Sequence, residues 1–65
     1  MRLRDALKLH TGDEVTLKST GESCKVDAYV VAYADNFGGK PIAAYFYLQA
    51  SKQGYITSVK HTEIA

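Results

Sequence analysis

The fold turns on Ser23-Cys24-Lys25-Val26-Asp27-Ala28-Tyr29-Val30-Val31-Ala32-Tyr33 and its answering run, Pro41-Ile42-Ala43-Ala44-Tyr45-Phe46-Tyr47-Leu48-Gln49-Ala50. In the first run Cys24, Val26, Ala28, Val30 and Ala32 recur at a period of two, with Lys25, Asp27, Tyr29, Val31 and Tyr33 on the other face. In the second, Ile42, Ala44, Phe46, Leu48 and Ala50 alternate with Ala43, Tyr45, Tyr47 and Gln49. A period of two is the signature of a strand with two distinct faces. The spacing therefore predicts strands over 23–33 and 41–50. Ala34 to Lys40, with an Asp-Asn pair and adjacent glycines, is the loop between them, and Pro41 suits a first strand position, where no ladder donor is needed. Placing Val30 opposite Ala44 sets Ala28 against Phe46, Val26 against Leu48 and Ala32 against Ile42, so that large side chains meet small ones. In that register Tyr29 lies opposite Tyr45 on the outer face, and a slip of one residue would mix the two faces.

Working outward, Val15 and Leu17 alternate with Glu14, Thr16 and Lys18, which predicts a half-buried strand over 14–19 ending in the turn Thr20-Gly21-Glu22. Before it, Leu3, Ala6 and Leu7 sit at helical spacing and predict a short helix over 3–9, too short to stand unless its apolar stripe docks. Gly12 permits the exit. After the long hairpin, Lys52-Gln53-Gly54 is a turn and 54–59 a further strand, whose buried face is ambiguous because Ile56 points one way and Tyr55 with Val59 the other. A turn at Lys60-His61 and a very short closing strand over 62–64, with Ile64 as its apolar plug, complete the chain. The sum is one domain, 1–65: a small five-stranded antiparallel barrel with an N-terminal helix capping one open end. Closure would remove exposed strand edges.

Composition narrows the function classes. A chain of 65 residues has room for one small domain. It buries only about 60% of the surface that its unfolded form exposes. Cys24 is the single cysteine, so no internal disulfide is available, and Cys24, His10 and His61 lack the spacing of a zinc site. Packing and self-association remain as sources of stability. Hydrophobic residues at 46% and charged residues at 23% are globular values. Arg2 and Arg4 precede Asp5 and Lys8, which interrupt any signal-peptide core, and no run approaches the length of a membrane span. With an unpaired thiol on a strand, the expectation is a cytoplasmic protein without a membrane partner.

The stretch Gly12-Asp13-Glu14-Val15-Thr16-Leu17-Lys18-Ser19-Thr20-Gly21 resembles the opening of Src-homology-3-like barrels of the KOW and Tudor type, and Thr62-Glu63-Ile64 resembles their short final strand. The resemblance covers roughly a fifth of the chain and rests on common turn chemistry. It implies the small barrel. KOW domains continue into a basic, glycine-containing loop that contacts RNA, whereas here Glu22-Ser23-Cys24 follows Gly21. Free-standing barrels of this size with a leading helix also look like small accessory proteins of phages and mobile elements.

The chemistry-bearing feature is aromatic. Of five tyrosines, the register places Tyr29, Tyr33, Tyr45 and Tyr47 with Val31 on the face opposite the core, and Phe37 at the neighbouring loop tip extends the patch. Tyrosine combines rigid area with a hydroxyl that can stay wet, a pairing common at interfaces. The face reads in three ways: a binding surface for a protein, peptide or stacked bases, a second small core under the helix, or a homodimer contact. Nucleic acid is the alternative partner, since aromatics beside Lys18, Lys25, Lys40, Lys52 and Lys60 could form a stacking groove. Seven acids against eight bases leave a net charge of only +1, however, short of a dedicated binder's footprint. Catalysis has weaker support. Cys24 alternates with core residues, His10 and His61 read as turn residues, and no phosphate-cradling glycine loop or cofactor motif is present. The expectation is a non-enzymatic binding module without metal or cofactor, with Tyr29, Tyr33, Phe37, Tyr45 and Tyr47 as its contact residues.

Overall fold

The computed structural model describes residues 1–34, 39–52 and 54–65. A single helical turn, α1 (Leu3–Ala6), is followed by four strands: β1 (Glu14–Thr16), β2 (Ser23–Tyr33), β3 (Pro41–Ala50) and β4 (Gly54–Lys60). A 3-10 turn follows at His61–Glu63. The strands form one antiparallel sheet in the order β1-β2-β3-β4, a meander in which every neighbour in sequence is a neighbour in space.

Turn chemistry sets the connections. Gly21 and Gly54 hold φ of +73° and +76°, a region open to glycine at little steric cost, and each sits where the chain reverses into the next strand. α1 stops earlier than the apolar spacing predicts. No side chain caps its start, and downstream the His10 amide donates to Asp13 Oδ2 at 2.8 Å, committing the backbone to a turn before a second helical turn can form. Its stripe still docks as expected: Ala6 is buried, and Leu3 and Leu7 pack against the core.

The inner face of the sheet carries that core. Phe46, Leu48, Ile64, Val26 and Cys24 are its largest fully buried side chains, joined by Val15, Leu17 and Val59. Val26 faces Leu48, as the large-against-small matching predicts. One residue later the match fails. The β2–β3 ladder shifts between Val26 and Ala28, so that Asp27 and Ala28 together oppose Tyr47, and the pairs beyond become Tyr29–Phe46, Val30–Tyr45, Val31–Ala44 and Ala32–Ala43. The expected pairs Val30–Ala44, Ala28–Phe46 and Ala32–Ile42, with Tyr29 opposite Tyr45, are therefore displaced by one residue. This is a β-bulge, which adds a residue to one strand and bends it.

β4 carries a matching irregularity. Phe46 faces Val59 and Leu48 faces Ile56, which leaves Thr57 and Ser58 against Tyr47. Ser58 adopts φ of 58°, the one positive value at a non-glycine among the described residues. The extra residue resolves the ambiguous face of this strand, because Ile56 and Val59 both turn inward while Tyr55 turns out. Tyr47 thus sits between two bulges, one on each flanking strand.

The sheet is open. Among the described residues β1 and β4 share no ladder, and the predicted closing strand over 62–64 is absent, as is a fifth strand. Its residues enter the 3-10 turn instead: the Ile64 amide donates to the His61 carbonyl at 3.2 Å and the Lys60 amide to Glu63 Oε2 at 3.3 Å. A single bridge, Leu17–Ile64, ties the C-terminal segment to the chain just after β1, where the predicted strand 14–19 has already ended at Thr16. Lys18 donates to the Glu63 carbonyl at 2.9 Å and Ala65 to the Thr16 carbonyl at 2.8 Å. The Met1 ammonium donates to the Ile64 carbonyl. An open cleft of about 500 Å³ lies beside this bridge, floored by Leu17, Ile56 and Val59.

Substitutions at two positions test this architecture. Phe46→Ala empties the centre of the core and is expected to lower unfolding free energy by about 3–5 kcal/mol in urea titration. Ser58→Gly is expected to raise it by about 1 kcal/mol by relieving the left-handed conformation, whereas Ser58→Val lowers it. A neutral result for both Ser58 variants would remove the bulge.

Candidate functional site

The bulge at Asp27 divides the tyrosines that alternation alone would place together. Tyr45 and Tyr47, both half-buried, remain on the outer face of β3. Tyr29 turns to the inner side, where its ring lies 5.7 Å from that of Phe46, and Tyr33 follows the same alternation along β2. Tyr29 is thus partly a core-edge residue. Phe37 lies outside the described residues. The expected single face of Tyr29, Tyr33, Tyr45 and Tyr47 is replaced by two clusters.

The first cluster is a stack across the outer face. Tyr55 on β4 lies near-parallel to Tyr47, with ring centroids 6.5 Å apart and planes 12° from each other. Its hydroxyl continues across β3 and donates to Asp27 Oδ2 on β2 at 2.8 Å. The bulge makes this reach possible, since it brings the Asp27 carboxylate to the level of Tyr47. The hydrogen bond to Asp27, with desolvation and the same carboxylate's charge behind it, holds the Tyr55 phenol above its usual value of 10.0.

The second cluster is a two-stranded arm. β1 pairs with β2 only as far as Lys25, and β4 leaves β3 at Tyr45, so the hairpin beyond them has no third strand among the described residues. The molecule is accordingly long, 38 × 17 × 16 Å. Of the five exposed large hydrophobic residues among those described, Tyr33 and Ile42 (58% exposed) lie on this arm, and Tyr29 and Val30 (53%) lie at its base, where Phe46 and Tyr45 opposite them still pair with β4. The fifth is Tyr55.

The polar candidates separate. Cys24 is buried, its thiol pushed up by burial and then by the Glu22 charge. It pairs with Ala50 at one end of β3, while His61 accepts the Ala44 amide through Nδ1 at 3.3 Å near the other. At strand rise, that separation along β3 is roughly 20 Å, too far for a nucleophile and its base. His61 is buried, not a solvated turn residue; it terminates the β3 edge where β4 departs. Among the described residues no group of three or more His, Cys, Asp or Glu side chains could hold a metal ion. No helix among them is long and apolar enough to cross a membrane.

Val30, Ile42, Tyr55 and Asp27 were not singled out by alternation. The signal for Tyr55 was present in its own strand: Ile56 and Val59, both apolar and three apart, cannot share a face without an extra residue between them. No protein-family model, curated protein or solved structure matches the chain.

The Tyr55 phenol keeps its proton more tightly in the fold than in the unfolded chain. Its contribution to stability is therefore complete below about pH 10 and is lost as pH rises through the higher folded value. In an absorbance titration of phenolate formation, Tyr55 is expected to ionise above the ordinary range and Asp27→Ala to return it there. An unchanged profile in that variant would disconnect the two groups.

Proposed function

We propose that this chain is a non-enzymatic binding module that engages a protein or peptide through the arm formed by β2 and β3, in a cytoplasmic setting. The observation that carries the reading is the concentration of exposed large hydrophobic residues, Tyr29, Val30, Tyr33 and Ile42, on the two-stranded end of the β2–β3 hairpin and at its base. An apolar side chain left in water contributes nothing to folding, and rigid aromatic and branched residues gathered on one projection are the composition of an interaction surface. The Src-homology-3-like reading of the fold draws support from the antiparallel meander, the 3-10 turn and the terminal bridge back to the segment after β1.

Nucleic acid is the weaker partner on chemical grounds. The stacked pair Tyr47–Tyr55 uses one ring face internally, and the carboxylate of Asp27 stands at its end, where a phosphate backbone would be repelled.

A photoreactive phenylalanine analogue at Ile42 in the full chain, expressed in its native cells, is expected to trap protein adducts that the same analogue at exposed Lys8 does not. Equal trapping at both positions, or nucleic acid recovered at Ile42, overturns the proposal.

A further inference from the structure

The open feature of the arm is a backbone edge. On the side away from β3, β2 is covered as far as Val26, whose amide and carbonyl bond to Asp13 and Gly12 at 2.9 and 2.8 Å. The Thr11 hydroxyl reaches the Asp27 carbonyl at 3.5 Å. Beyond Asp27 the ladder of β2 runs to β3 alone among the described residues. In an antiparallel strand, alternate residues direct their N–H and C=O groups to opposite sides, so this edge presents a row of unmade ladder bonds.

Such an edge is normally blunted by charge, proline or a further bulge. The sequence here is Ala28-Tyr29-Val30-Val31-Ala32-Tyr33-Ala34, with no charged residue and no proline, and the register shift between Ala32 and Tyr33 puts its extra residue, Ile42, on β3 and leaves β2 continuous. We infer that this edge pairs antiparallel with the same edge of a second copy of the chain, about a two-fold axis at Val31. The inference rests on the arm being an interaction surface and names its occupant.

Three properties favour a second copy over another extended segment. The uncharged run 28–34 is centred on Val31, so the register that uses all of it is self-complementary. In that register Tyr29 faces the partner's Tyr33, Val30 faces the partner's Ala32 and Val31 faces itself, which pairs aromatic with aromatic and large with small on each side of the sheet. Finally, the chain has few other routes to burial: Cys24 is its single cysteine, and at 65 residues its core is small. An interface of roughly 500 Å² per partner, where specific association begins, would take only a modest share of its 4374 Å² surface.

Sedimentation equilibrium of the full chain at micromolar concentration is expected to give twice the 7.1 kDa monomer mass. Val30→Lys with Ala32→Lys should weaken the dimer roughly tenfold or more by setting like charges opposite one another. Mixing that variant with one carrying Val30→Glu and Ala32→Glu should restore a mixed dimer. Val31→Cys should oxidise to a disulfide-linked dimer faster than Val30→Cys, because residues directly opposite in an antiparallel pair lie about 4.5–5.5 Å apart at Cα, inside disulfide range. Buried Cys24 does not compete. The cysteine pair needs no change of charge, so it decides the matter even where the lysine variant fails to fold. A monomer throughout, or equal oxidation at both positions, overturns the inference. If the chain is monomeric while Ile42 still traps a different protein, the edge pairing falls and the binding arm stands; if nothing is trapped either, both fall.

Discussion

The structure depends on how Tyr47 is flanked. Two residues oppose it on β2 and two more on β4, so both neighbours of the central strand gain a residue at one level. A bulge sharpens the right-handed twist of its strand, and a pair at the same height curls a sheet that would otherwise run flat. Several features follow from this one constraint. Ile56 and Val59 both reach the core although they are three residues apart. Tyr29 packs on Phe46, and the Asp27 carboxylate comes within reach of the Tyr55 hydroxyl. The core of Phe46, Leu48 and Val26 is wrapped by only four strands because the sheet bends around it.

Much of this is legible in the residues. Strand limits at 23–33 and 41–50 follow from alternation and bounding turns, and Gly21 and Gly54 mark reversals that require positive φ. The register of the hairpin is not legible beyond Val26, for a physical reason. From Ala28 onward both faces of β2 are apolar, so a period of two no longer distinguishes inside from outside, and large-against-small matching can be satisfied in more than one register. Asp27, the last charged residue before that run, marks the place where the pairing shifts. Which tyrosines share a face depended on that shift, so the candidate site was legible in composition and not in geometry. The closing strand over 62–64 gives way to a turn for another reason: Glu63 accepts the Lys60 amide through its own side chain, a local bond that draws the backbone out of extension.

The sheet also shows how a small domain allocates its length. β1 spans three residues and β4 seven, while β2 spans eleven. The surplus of the central hairpin cannot be covered by its flanks, so apolar residues and unpaired backbone occur on the same projection. Where β4 ends, His61 supplies an acceptor to the Ala44 amide and closes that edge of β3 with a side chain. The opposite edge of β2 has no such device among the described residues. The β3 edge is capped at Ala44, and the β2 edge from Ala28 onward is left available.

The bridge between Leu17 and Ile64 has a consequence for the order in which the chain assembles. Consecutive hairpins close short loops and gain contacts as each forms, whereas this bridge joins distant parts of the chain and becomes favourable only once the sheet exists to receive Ile64. Ile64 is fully buried, and releasing its segment breaks the bonds to Met1, Thr16 and Lys18 without breaking a rung of the meander. The amides of Lys18 and Ala65 then report a partial opening that those in the middle of β3 do not share. The C-terminal segment is a stopper seated in a sheet whose hairpins are complete without it.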